Sequence, residues 1–247
     1  MTLIITELSK FGIVMVADSA VTFTETLPDG SQFPHVLNGA QKLQAIPYLG
    51  AGISVWGLGN MPTQNGNLST DVWINDFIAR HSQVATLSEF ADCLTQELQE
   101  SLGENEISVG FHLAGFVEME NQKLPTFYHV RNVDGTFAHY EFHEFIVGQD
   151  FPPRELAENE LYITRNGDYG AYAVLANAIH NALPIIQNGI GINIPYPSLQ
   201  GRIAYHSAWI KFVSELYASS GLLRTIGGSI SALGIYSDGQ IIYYPNS

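Results

Sequence analysis

The stretch that most constrains this chain is its start, TLIITELSKFGIVMVADSAVT. Two short apolar runs, TLIITEL and GIVMVA, flank the polar Ser9-Lys10-Phe11-Gly12. They read as a strand pair over residues 2–8 and 12–17, with the polar segment at the turn. The second run leads straight into Asp18. A strand that ends on a carboxylate needs a reason for it. Alone, Asp18 would cap a turn through nearby N–H groups. Likewise Thr2 would be a β-favouring first residue and Lys42 a surface strand residue.

Hydrophobic and turn patterns organise the rest. Residues 23–41, with LPDGSQFPHVLNGA, read as loop. KLQAI and LGAGISVWG read as strands, and MPTQNGNLS (61–69) as loop. A helix is predicted over 70–81. A second is marked by the capping-box pattern Thr86-Leu87-Ser88-Glu89, followed by Leu87, Phe90, Ala91, Leu94 and Leu98 at helical spacing. Then ISVGFHLAGFV, LPTFYHVRNV and TFAHYEFHEFIVG read as strands, with Asp134-Gly135 as a hairpin turn. FPPRELAENE reads as loop. Residues 168–183 read as a helix ended by Pro184. A last helix is expected over 199–220, with Ile203, Trp209, Phe212, Val213 and Leu216 inward and Gly221 past its end. SISALGIYS and QIIYYP close the chain around Asp238-Gly239. Strands, two helices, strands, two helices, strands: this order predicts one α+β domain over 1–247. Its architecture would be a four-layer αββα sandwich of two antiparallel sheets between helix pairs.

Composition removes several function classes. Lys+Arg number 10 against 24 Asp+Glu, a net charge of −14. No basic stripe exists to hold phosphates, so neither nucleic acid nor an anionic membrane is an expected partner. No run of apolar residues is long enough to span a bilayer. The single cysteine, Cys93, excludes an intramolecular disulfide and a cysteine zinc site. A soluble, cytoplasmic protein is expected. The nucleotide-binding, lipase-type and metalloprotease motifs are missing. GLGNMPTQNG and GIGINIP lack the strand-turn-helix context of a dinucleotide loop, so no cofactor is expected. His139, Glu141 and His143 would share one strand face, as metal ligands could. Tyr140, Phe142 and Phe145 on the other face make this a half-buried strand with a polar side, and no metal is expected.

The N-terminus carries more chemistry. Loss of Met1 would leave Thr2 with a hydroxyl nucleophile and an α-amine on one residue. The amine titrates at about 7.7–8.0. It can take the hydroxyl's proton at neutral pH without a histidine. Such a site needs a cation, a carboxylate to orient it, and N–H groups for the oxyanion. Asp18 ends the strand paired with the one that starts at Thr2, and Lys42 opens another strand. GIVMVADSAVT and the following QKLQAI resemble the start of proteasome β-type subunits, within the N-terminal nucleophile (Ntn) hydrolases. The likeness runs more weakly along the chain, through FHLAGFVEMENQKLPTFYHVRNVDGT, FIVG at 145–148 and GGSISALGIYSDGQI.

The resemblance implies the αββα sandwich, a peptide or small-amide substrate, and a homo-oligomer, in some relatives a ring. It implies Thr2 as nucleophile, Asp18 as the acid that orients the lysine, Lys42 as that lysine, and Gly57 as an oxyanion-hole glycine. Thr22, Gly52, Ser54 and Trp56 are expected at a substrate wall. The family pattern of Gly-Ser-Gly after the FIVG-like strand is replaced here by Gly148-Gln149-Asp150. The Asp and Ser that precede its closing Gly-Gly fall on Leu223 and Ile226. Two readings follow: a threonine-type hydrolase of amide bonds acting after Met1 removal, or an inactive scaffold subunit on the same fold.

Overall fold

A computed structural model describes residues 2–64, 66–103, 109–133, 135–138, 155–157, 160–221, 223 and 225–244. Among these, four α-helices flank two five-stranded antiparallel sheets. The first sheet joins β1 (Leu3–Ser9), β2 (Gly12–Asp18), β12 (Leu161–Gly167), β13 (Ile230–Ile235) and β14 (Ile241–Tyr244) in the order β12-β1-β2-β13-β14. The second joins β5 (Leu43–Ile46), β6 (Ala51–Trp56), β9 (Gly110–Met119), β10 (Gln122–Val133) and β11 (Thr136–Ala138) in the order β11-β10-β9-β6-β5. Helices α1 (Thr70–Arg80) and α2 (Leu87–Leu102) cover the second sheet, and α4 (Leu199–Ser219) covers the first, with α3 (Gly170–Ile190) beside it.

Both strands of the opening hairpin are buried along their whole length because both of its faces are covered. Leu3, Ile5, Val14 and Val16 pack with Ile203, Ile210 and Val213 of α4. Ile4, Leu8, Ile13, Met15 and Ala17 pack between the sheets with Leu43, Ala114 and Phe127. A third core, with Ile53, Val55, Phe77, Phe90, Leu94 and Phe111, seals α1 and α2 onto the second sheet. Strand alternation therefore decides which layer each side chain enters.

Two polar clusters fix the layers against one another. Between the sheets, Thr6 Oγ1 lies 3.0 Å from His112 Nδ1, and His112 Nε2 lies 2.7 Å from Asn166 Oδ1. On the other face of β1, Glu7 accepts from Arg202 Nη2 at 2.7 Å and His206 Nε2 at 2.7 Å, with Arg202 Nε also bonded to it. Burial pushes the Glu7 carboxyl up, but His206 and Arg202 outweigh it and hold the group below its ordinary 4.5.

Several sequence expectations are corrected. Residues 23–41 are not simply loop: β3 (Val21–Thr26) and β4 (Gln32–Leu37) form a hairpin. Its alternating β-branched residues outweigh Pro34, which a two-stranded ribbon tolerates. Residues 61–69 likewise hold β7 (Asn60–Thr63) and β8 (Gly66–Ser69). Strand β12 lies where no strand was expected, and it forms the element that leads into α3. FIVG at 145–148, likened to a strand of the family, falls within residues 139–154, which lie outside the described residues. So do His139, Glu141 and His143.

Helix α3 also continues through Pro184 to Ile190. That half of the helix is largely exposed, so water can take the carbonyl that proline leaves unbonded. Phe212 and Leu216 point outward, at 45% and 38% exposure, while Ile203, Trp209 and Val213 are buried as expected. The capping box at Thr86 and Glu89 is present in both directions. No helix among the described residues is long and apolar enough to cross a membrane.

The Glu7 cluster makes a pH prediction. A carboxyl held below its unfolded value contributes stability that is complete above about 4.5 and is lost as pH falls through the folded value. Glu7→Gln should cost about 3–5 kcal/mol at neutral pH by leaving Arg202 uncompensated, and should flatten the acid limb of stability. Urea unfolding across pH 3–7, read by circular dichroism, checks both.

Candidate active site

The first turn of chemistry is set by the hairpin register. Ile4 pairs with Ala17, so the start of β1 and the end of β2 lie side by side. Asp18 is 1% exposed and accepts four hydrogen bonds. Its Oδ1 takes the Leu3 N–H at 2.9 Å and the Lys42 ammonium at 2.9 Å. Its Oδ2 takes the Ala20 N–H at 3.1 Å and the Gly227 N–H at 3.0 Å. One carboxylate thus ties together the residue after Thr2, the entry to β3, the start of β5 and the segment before β13.

Lys42 is 4% exposed. Its ammonium also donates to the Ala20 carbonyl. Burial pushes the Lys42 amine down from its ordinary 10.5, and the Asp18 charge offsets only part of that. The Lys42 carbonyl accepts from Val55 N at 3.0 Å, which holds β5 beside β6.

Thr2 is 6% exposed, and its own backbone is clamped. Its carbonyl accepts the Asp168 N–H at 2.6 Å. Gly167, at φ +95°, makes this approach possible: a Cβ there would lie 1.8 Å from the Thr2 oxygen. The Asp168 carboxylate accepts from Tyr217 Oη at 2.8 Å and from Thr225 Oγ1 at 2.9 Å. Sequence reasoning missed Gly167 and Asp168 because it missed β12. The legible signal was Asn166-Gly167-Asp168 directly before a helix, a turn-forming pattern. Ser19 adds a second latch: its Oγ accepts from Gly39 N at 3.2 Å and lies 3.1 Å from Ser229 Oγ.

Thr2, Thr22, Lys42 and Gly57 border one cavity of about 540 Å³. Val21, Phe23, Leu37, Val55 and Leu58 give it apolar walls. Gly57 stands at φ +89°, a backbone shape that favours glycine. The structure does not bring Gly52, Ser54 and Trp56 there. Their side of β6 faces the other sheet: a Cβ on Gly52 would meet Met15 Sδ at 2.7 Å, and Trp56 Nε1 donates to His129 Nε2 at 3.3 Å. Ser54 is 1% exposed. Alternation puts Val55 and Gly57, not residues 52, 54 and 56, on the cavity side. No metal-ligand cluster occurs among the described residues.

No protein-family model matches the chain. No curated protein sequence matches it either. Among solved structures it is similar to a Gly-1 mutant of Anbu from Hyphomicrobium sp. strain MC1, at 13% identity and a TM-score of 0.57, over 100% of this chain and 87% of that one. It is also similar to Anbu, described as an ancestral beta-subunit, from Yersinia bercovieri, at 12% identity and a TM-score of 0.53, over 98% of this chain and 87% of that one. The chain shares the fold of these proteins. That likeness is consistent with the sandwich fold expected from the element order.

The Asp18–Lys42 pair yields a double-mutant test. Asp18→Leu or Lys42→Met alone strands a buried charge and should cost about 3–5 kcal/mol. The double variant should cost clearly less than the sum of the two, as measured by urea unfolding.

Proposed function

We propose that this protein is a threonine-type N-terminal nucleophile hydrolase that cleaves peptide or other amide bonds once Met1 is removed. The observation that carries this reading is the convergence of Thr2, the buried Asp18–Lys42 pair and Gly57 at one cavity. Ntn-type placement of Thr2, Asp18 and Lys42, inferred from GIVMVADSAVT, agrees with that geometry.

In the proposed reaction, Thr2 Oγ attacks the amide carbonyl carbon and its proton passes to the Thr2 α-amine. The cationic Lys42, oriented by Asp18, favours the deprotonated hydroxyl electrostatically. The Gly57 N–H is the candidate donor to the oxyanion of the tetrahedral intermediate. The C–N bond then breaks, the leaving nitrogen takes the proton from the α-amine, and an ester to Thr2 remains. Water, deprotonated by the same amine, hydrolyses that ester. The Thr2 carbonyl anchored by Asp168 N–H holds the nucleophile's backbone during these steps.

A second reading, a non-catalytic subunit on the same fold, is favoured by one observation. Leu223, at 39% exposure, and the buried Ile226 stand where the resemblance expects an acid and a serine. Both readings include assembly into a homo-oligomer. From Tyr169 to Gly201 the sequence carries no Asp, Glu, Lys or Arg. Val174, Ile185 and Ile190 of α3 are 71%, 74% and 63% exposed. In a chain of net charge −14, that uncharged face is where a second copy approaches with least repulsion.

Thr2→Ala decides between the two readings. The hydrolase reading expects turnover of fluorogenic peptide amides to fall at least about 1000-fold with the thermal midpoint unchanged. Equal turnover by wild type and variant would remove Thr2 from the chemistry.

A further inference from the structure

The cavity beside Thr2 has a charge pattern of its own. Its lining includes two ionisable side chains, Lys42 and Asp71. Lys42 is neutralised by Asp18. Among the described residues, Asp71, in the first turn of α1, has no ion-pair partner. Its Oδ2 accepts the Gln41 N–H at 3.2 Å and its Oδ1 the Val72 N–H at 3.0 Å. These bonds fix the carboxylate in place and leave lone pairs on both oxygens. Burial pushes the Asp71 carboxyl up, but Ser69 and the Gln41 and Val72 amides outweigh it, so the group is ionised at neutral pH.

Val21, Val55 and Leu58 supply apolar wall alongside this carboxylate. Apolar wall with a fixed carboxylate suits one kind of side chain. It is a methylene stem that ends in a cation. A leucine-type side chain would leave the carboxylate unmatched, and an acidic one would be repelled.

We propose that Asp71 is a specificity-determining residue that selects amide substrates with a lysine or arginine side chain on the acyl side of the cleaved bond. The stem lies along Val21, Val55 and Leu58, and the cationic head donates to Asp71. The proposal rests on the hydrolase reading for the reaction, but its recognition step is separable from it. The acidic surface, at net charge −14, favours encounter with basic peptides in the same sense.

The test compares peptide amides that differ only in an Arg, Leu or Glu before the cleaved bond. Wild type should show the highest kcat/KM for Arg and the lowest for Glu. Asp71→Asn keeps an acceptor at the helix start and should reduce the Arg-to-Leu selectivity ratio about ten-fold. Asp71→Ser, also a helix-capping residue, should do the same, which guards against a folding defect in one variant. A wild-type preference for Leu, or a ratio unmoved by both variants, would overturn the proposal. Binding of uncleaved Arg and Leu peptides to the Thr2→Ala protein, by calorimetry, separates the two ideas. If no peptide is cleaved but the Arg peptide binds more tightly in an Asp71-dependent way, the hydrolase reading falls and the recognition proposal stands. If neither peptide is cleaved nor bound, both fall.

Discussion

The carboxylate of Asp18 is the fixed point of this molecule. It is buried, and its four hydrogen-bond partners come from different places in the chain: Leu3, Ala20, Lys42 and Gly227. A buried carboxylate is costly unless it is fully hydrogen-bonded and paired. Here that requirement is met only when the first sheet, the β3 entry and the edge of the second sheet are all in place. The same group therefore reports correct folding and positions the buried Lys42 at the cleft. Lys42 in turn holds its charge at a buried position, where it acts at short range on whatever stands beside it.

From that point the remaining geometry follows by alternation. Thr2 stands one residue before β1, so its direction is set by the strand that sends Ile4, Thr6 and Leu8 between the sheets. Gly167 and Asp168 close on it from β12, where the glycine admits the Thr2 carbonyl and the next amide bonds to it. The cavity then opens along the β6 face that carries Val55 and Gly57. None of these positions is strained into place by one residue alone. Each is the end of an element whose other end is in a hydrophobic core.

Much of this was legible in the sequence. The opening hairpin, the capping box of α2 and the turn at Asp238-Gly239 follow from local pattern plus pairing, while the grouping of Lys42 with Thr2 and Asp18 came from the resemblance to proteasome β-type subunits. Strand β12 was hidden because LYITRNG is short, partly exposed, and carries an arginine, so its periodicity was weak. The substrate wall was read one residue out of phase on β6, since sequence alternation tells that residues 52, 54 and 56 share a face but not which layer that face meets. Helix α3 ran past Pro184 because propensity penalises proline in a helix, yet an exposed turn can hydrate the lost bond. Asp71 was invisible as a recognition residue, because only the tertiary fold carries the start of α1 to the cavity that Thr2 borders.

The central claim is that the chemistry belongs to a free N-terminal Thr2. Intact-mass spectrometry of the purified protein, before and after exposure to an activated ester substrate, tests it most directly. The account predicts a chain that begins at Thr2 and gains one acyl group, mapped by fragmentation to Thr2. A chain that keeps Met1 and gains no acyl group at Thr2 would contradict it.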